Sequence, residues 1–281
     1  MAGNGGNSEI KRKIAERIAD YEKRGLWDKD VTDDPPAVPL TLDKADYLCE
    51  KPFSKTLTKI ANRLAVRYFE KEIKKGNFRI KAVHGIENYL KVKDGGAIIT
   101  CNHFSIYDHY AVYRTIREYF PKGGKLYKVI KEGNYTAFKG LFGFFFRHCN
   151  TLPLAESPAV MIKFMKAADV LLKRGEKILV YPEQAMWLNY EKPRPLKSGA
   201  FRLALKSDVP VLPVFITMED SDRLDADGDA IRDFTLWFSE PIYGRAELSA
   251  KDNEAFMRDE NYKVWKEIYE RAYHTPLSYE R

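Results

Sequence analysis

From residue 78 to residue 273, short apolar runs alternate with stretches of helical period, and this alternation restricts the fold of the 281-residue chain more than any other property. Strands are expected at 78–84, 97–101, 126–130, 177–181, 211–216 and 234–238, and helices at 107–120, 136–146, 158–174, 198–206 and 253–273. Strands interleaved with helices predict an α/β fold, a mainly parallel sheet flanked by helices on both faces. Pro158 and Gly175 punctuate one helix, proline in the first turn and glycine just past the end. The run 209–214, Val-Pro-Val-Leu-Pro-Val, suits a sheet edge or a strand start, because proline cannot donate to a ladder.

Ahead of this region the pattern changes. Residues 9–25 read as a charged, weakly amphipathic helix, and the prolines at 35, 36 and 39 forbid regular structure and mark a linker. Three parts are therefore expected: an N-terminal tail, helix and linker over 1–50, a basic amphipathic helix over 51–76, and an α/β domain over 77–281. The helix is the N-terminal amphipathic addition to the fold. Between Lys51 and Lys81 lie ten basic residues against Glu70 and Glu72, a larger excess than the +7 of the whole chain. Phe53, Leu57, Ile60, Leu64, Tyr68 and Phe69 recur there at helical spacing. Such a helix either lies in a lipid interface or packs on the domain with its basic face in water.

Several classes fall away on composition. With 44% hydrophobic residues the chain can build a core, so it is not disordered. Cys49, Cys101 and Cys149 are odd in number and widely spaced, which suggests neither a disulfide framework nor a cysteine metal site and fits a reducing compartment. No signal-peptide core and no apolar run near about 18 residues is present, so a cytoplasmic, peripheral location is expected. The pI near 9 favours a polyanionic partner: nucleic acid, a phosphorylated small molecule or an anionic membrane surface. Nucleic acid is disfavoured, because the basic segment carries no recognisable binding motif and its aromatics lie on the apolar stripe. No metal site is expected either: the acidic stretch 225–229 has Ala230 and Leu236 where a calcium loop needs glycine and glutamate, and reads as a turn.

Chemistry concentrates at strand ends. The run Ala97-Ile98-Ile99 leads directly into Asn102-His103, with Asp108 five residues after the histidine. On one continuous helix these side chains would point about 140° apart, so they can meet only across a turn. With His103 in the loop and Asp108 opening the next helix, the carboxylate can take one imidazole nitrogen and leave the other as a base. The expected strand 177–181 likewise runs into Pro182-Glu183, a carboxylate at the equivalent sheet edge. Between them, residues 140–150 are phenylalanine-rich and contain Arg147, whose planar fork suits a phosphate.

Asn-His-x4-Asp at 102–108, Gly-Phe-Phe-Phe-Arg at 143–147, Tyr-Pro-Glu at 181–183 and Val-Pro-Val-Leu-Pro-Val at 209–214 resemble, in order, the four blocks of the lysophospholipid acyltransferase family. Lys197-Ser198-Gly199-Ala200-Phe201 also resembles that family, and the likeness spans roughly 78–220. The resemblance implies a membrane-associated enzyme on the cytoplasmic face that moves a fatty acyl group from acyl-CoA or acyl carrier protein to a lysolipid hydroxyl, with 1-acylglycerol-3-phosphate the leading acceptor. It implies His103 as general base and Asp108 as its orienting carboxylate. Asn102, Arg147, the Tyr181-Pro182-Glu183 loop and Lys197 would lie at the substrate. Phe53, Leu57, Phe144, Phe145 and Phe146 would meet the acyl chain or the bilayer. Neither a metal nor a cofactor beyond the acyl donor is called for. The chain departs from the family after Glu183, where Gln184-Ala185-Met186-Trp187 replaces the usual Gly-Thr-Arg or Gly-Thr-Ser. The family's glycine permits positive φ, so the acceptor's phosphate is expected to be held differently, or the acceptor to differ.

Overall fold

A computed structural model describes residues 4–279 apart from residue 226, with side chains from residue 9 onward. The strands are β1 (Arg79–His84), β2 (Ala97–Thr100), β3 (Leu126–Lys131), β4 (Thr151–Leu154), β5 (Lys177–Val180), β6 (Val211–Leu224) and β7 (Ala230–Phe238). The helices are α1 (Asn4–Lys23), α2 (Pro52–Lys74), α3 (Ile86–Leu90), α4 (Asp108–Ile116), α5 (Glu132–Thr136), α6 (Gly140–His148), α7 (Pro158–Lys173), α8 (Gly199–Lys206) and α9 (Ala250–Tyr273). Among the described residues the strands form one sheet in the order β1-β7-β6-β2-β5-β3-β4, parallel at every pairing except β6 with β7.

The continuous apolar run of β2 explains its place in the middle. All four of its residues are buried, and it pairs with β5 on one side and β6 on the other. Ile98, Ile178 and Val211 share one face with Phe164 of α7, Phe201 of α8 and Trp265 of α9. Ile99, Leu179 and Leu212 share the other with Phe69 of α2 and Ala111 of α4. A strand covered on both faces cannot alternate polar and apolar residues, and this one does not.

Connectivity then creates a crevice. From β2 the chain passes through α4 to β3, on the β5 side of the sheet; from β5 it passes through α8 to β6, on the opposite side of β2. The two connections diverge at neighbouring strands, a topological switch point at the carboxyl ends of β2 and β5, where ligands bind in open α/β sheets. His103 follows β2, and the segment 181–198 follows β5.

The sheet differs from the expectation in definite ways. The proline-bounded run 209–214 is a strand start, as one of its two expected placements had it, and not an edge: β6 begins at Val211, lies between β7 and β2 and continues to Leu224. It tolerates Pro213 because that residue stands opposite Thr100, the last residue of β2, where that ladder ends. The helix expected over 136–146 is two short ones, interrupted at residues 137–139, with Gly140 at φ +64° opening the second. β4 and α3, too short for a periodic signal, were not anticipated. The acidic turn 225–229 joins β6 to β7, and its carboxylates Asp225, Asp227 and Asp229 converge on Lys11 of α1 at 2.5, 2.8 and 2.8 Å. Cys49, Cys101 and Cys149 are unbridged.

α2 packs against α6 and buries Ala61 and Phe69. Its apolar stripe is only partly used: Phe53, Ile60 and Leu64 remain 74%, 45% and 38% exposed. Among the described residues, no helix is long and apolar enough to cross a membrane.

Candidate active site

Asp108 is the first residue of α4 and is fully buried, where its carboxylate gathers five donors. One oxygen, Oδ2, accepts from the backbone N–H groups of Phe104 and Ser105 at 3.3 Å each and faces His103 Nδ1 at 2.8 Å. The other, Oδ1, accepts from the N–H of His109 and from the Tyr181 hydroxyl, both at 2.5 Å. Burial alone would raise the pKa of this carboxyl. The His103 imidazole beside it and the hydrogen bonds from His103 and Tyr181 outweigh burial and lower it, so the group is a carboxylate.

A carboxylate only accepts, so Nδ1 carries the proton. That assignment leaves Nε2 with its lone pair, and among the described residues it has no hydrogen-bond partner. The imidazole is 22% exposed, which gives Nε2 a route to a bound molecule. The ring lies on that of Tyr181, centroids 3.8 Å apart and planes within 11°. His109, next in sequence to the carboxylate, is pushed down to about 4 by burial and by the Lys128 ammonium nearby, so it stays neutral at physiological pH.

A buried scaffold holds the His103 backbone. Glu183 Oε2 accepts from the N–H of His103 at 3.1 Å and from Arg194 Nη2 at 3.0 Å, while Oε1 accepts from the N–H of Arg194 at 2.8 Å. Both side chains are almost fully enclosed, at 2% and 1% exposure. Arg194 also donates to the carbonyls of Ala185 and Trp27 and lies over the Trp187 ring at 4.7 Å. Two more bonds tie the loops together: Trp187 N–H to His103 carbonyl and Asn189 N–H to Phe104 carbonyl, each at 3.0 Å.

The residues expected at the substrate have other partners here. Asn102 lies beside the site, but its amide is committed to the backbone of Ile216, donating to the carbonyl at 2.9 Å and accepting from the N–H at 2.8 Å. It extends the β2–β6 pairing by one side-chain rung instead of facing a ligand. Glu183 is likewise structural, for the reasons just given. Pro182 is buried, and its carbonyl accepts from the N–H of Lys197. Arg147 donates to the carbonyls of Tyr135 and Phe138, bracing the α5–α6 bend, and has no carboxylate partner among the described residues. Lys197 meets Asp28 at 2.9 Å and Lys131 pairs with Asp30, so acidic residues of the N-terminal segment cover two cations. Of the expected lipid-facing aromatics, Phe53 is exposed, Leu57, Phe144 and Phe146 are half-buried, and Phe145 is buried among Ala61, Ala65 and Tyr68. Leu141 and Phe142 are the exposed large apolar residues of α6, although Phe142 also meets Tyr68 of α2 edge-to-face.

Arg194 was not singled out in the sequence, and Tyr181 was read only as part of the loop expected at the substrate. A tyrosine at a strand end gives no sign that its hydroxyl reaches a carboxylate 73 residues earlier. Arg194 carried one weak sign, its place between Pro193 and Pro195 in an otherwise polar loop.

Gln184 adopts φ +71°, the conformation that the family's glycine makes easy. The left-handed region costs a non-glycine residue about 1–2 kcal/mol, and the Gln184 side chain is exposed. Gln184→Gly is therefore expected to raise unfolding stability by about 0.5–1 kcal/mol after the entropic cost of glycine is subtracted. Urea unfolding checks this, and an unchanged or lower midpoint would contradict it.

A histidine with one free ring nitrogen, held by a buried carboxylate at the switch point of a mainly parallel sheet, is an arrangement that can activate a hydroxyl or water. Residues 81–217 match the family described as Acyltransferase, and all four sequence blocks fall inside that span. The match covers just under half of the chain and takes in both His103 and Asp108. Among solved structures it is similar to the 1-acyl-sn-glycerophosphate (LPA) acyltransferase PlsC from Thermotoga maritima, at 20% identity over 92% of this chain and 95% of that one, with a TM-score of 0.44. No curated protein matches the chain.

Proposed function

We propose that the chain transfers a fatty acyl group from a thioester, acyl-CoA or acyl carrier protein, to the hydroxyl of a lysophospholipid, with 1-acylglycerol-3-phosphate the leading acceptor. The observation that carries this reading is the 2.8 Å contact of His103 Nδ1 with a fully buried Asp108, inside a segment that matches the acyltransferase family. His103 Nε2 takes the proton of the acceptor hydroxyl as its oxygen attacks the thioester carbonyl carbon. The carbon–sulfur bond then breaks, and the imidazolium returns the proton to the departing thiolate. Asp108 holds the tautomer and stabilises the imidazolium. The acceptor's phosphate would be held by Arg147, Lys131 and Lys197, the last two after release from Asp30 and Asp28. Exposed ion pairs of that kind are worth about 0–1 kcal/mol, so a bound phosphate can displace them.

A thiol-release assay over a panel of lysolipids tests the reading. Release dependent on a lysophospholipid supports it; release at the same rate without any acceptor would make the protein a thioester hydrolase instead.

The bilayer is the proposed source of the acceptor. Support comes from the exposed Phe53, Ile60 and Leu64 on α2, interleaved with Lys55, Lys59, Arg63 and Arg67. Each large apolar side chain contributes about 1.5–3 kcal/mol when fully buried. Replacing all three by serine is expected to weaken sedimentation with anionic vesicles at least about tenfold, a factor worth 1.4 kcal/mol. Undiminished binding would place the membrane contact elsewhere.

A further inference from the structure

We propose that Tyr181 is a positioning residue of the His103–Asp108 pair, with its hydroxyl holding the carboxylate oxygen that the imidazole does not use and its ring forming the floor under the imidazole. This rests on His103 being the base, and two contacts carry it. The hydroxyl donates to Asp108 Oδ1 at 2.5 Å, and the ring stacks on His103 at 3.8 Å between centroids. One side chain thus touches both members of the pair, each through a different part of itself.

The donor direction is fixed by chemistry. Asp108 is a carboxylate and can only accept, and burial together with the nearby Asp108 charge pushes the Tyr181 phenol well above its ordinary value, so the proton stays on the tyrosine. Its two oxygens then serve different tasks. Oδ2 holds the imidazole and the loop N–H groups of Phe104 and Ser105; Oδ1 is held by the hydroxyl and the N–H of His109.

The hydroxyl also tempers the charge that His103 feels. A hydrogen bond donated to a carboxylate draws density from it and weakens its hold on an imidazolium. The other ionisable or charged groups around the pair are Cys101 on its own strand, the neutral His109 on α4, Lys128 on β3, and Glu183 and Arg194 from the β5 loop. None of these reaches Oδ1 with a side chain. Removing the hydroxyl therefore concentrates the carboxylate's charge on the imidazole, whose protonated form gains. The base works only when deprotonated, so activity falls on the acidic side.

Tyr181→Phe isolates the hydroxyl, since phenylalanine keeps the stacked ring. In the thiol-release assay with lysophosphatidic acid, the acidic limb of kcat/KM is expected to move up by about 0.5–1 pH unit, the size of one hydrogen bond of roughly 1 kcal/mol. An unmoved limb, with or without a lower plateau, overturns the proposal. An NMR titration of the His103 ring in the free protein, assigned with His103→Ala, needs no substrate and separates the two claims. Its midpoint should rise in Tyr181→Phe by the same amount, and an unchanged midpoint overturns the proposal even where turnover proceeds by another route. Survival of acyl transfer in His103→Ala would instead remove the base assignment and leave the NMR result as the test of Tyr181.

Discussion

His103→Ala is expected to lower kcat about 10³-fold or more while the protein keeps its circular dichroism and melting temperature. General-base catalysis by a placed histidine contributes about 10²–10⁴-fold, and here no second base stands ready to replace it. Glu183 is enclosed by Arg194 and the His103 N–H, Asp108 is buried behind the ring, and burial makes the His109 imidazole a weak base. The fold should survive because the ring is partly exposed and its loop is held by backbone bonds that alanine keeps: Glu183 to the N–H and Trp187 to the carbonyl. Asp108→Asn should lose a comparable factor, since an amide that donates to Nδ1 would force the proton onto Nε2. Steady-state kinetics with one donor and one lysolipid measure both. Near-native turnover in His103→Ala would show that the base lies elsewhere.

The second large effect is on stability. Glu183→Ala removes the acceptor of three hydrogen bonds and leaves the Arg194 guanidinium, 1% exposed, without its counter-charge. Breaking one side of a buried pair costs about 3–5 kcal/mol, which for a chain of this length lowers the melting temperature by on the order of 10 °C. Activity should fall too, because the His103 N–H loses its anchor. A double replacement of Glu183 and Arg194 by methionine separates the charge from the packing. It should be less destabilised than either single change, since no uncompensated charge remains. Calorimetry decides the matter: a Glu183→Ala protein that melts with the native one would mean the pair holds nothing.

This assignment also marks how far the sequence could be read. The parallel sheet was legible because β2 and β5 are short apolar runs without alternation, which only a doubly covered strand can carry. The pairing of His103 with Asp108 was legible as a turn-spanning contact because five residues cannot bring two side chains together on a helix. The long reach of β6, and its place beside β2, were not. Its polar second half alternates exposure only because β7 returns alongside it, and that partner lies beyond the turn. Asn102 and Glu183 look like ligand-binding residues in a linear reading because both are polar and stand at strand ends. What they do depends on Ile216 and Arg194, whose approach only the folded sheet creates. The glutamine at 184 is a related case. Its departure from a glycine pattern was visible in the sequence, yet the backbone still takes the glycine conformation at φ +71°.

Identification of the product tests the central claim most directly. With an isotope-labelled acyl thioester and 1-acylglycerol-3-phosphate, mass spectrometry should find the label in phosphatidic acid, in a one-to-one ratio to released thiol, and in neither product with His103→Ala. Label recovered as free fatty acid in the presence of acceptor, or phosphatidic acid formed by the His103→Ala protein at the native rate, would contradict it.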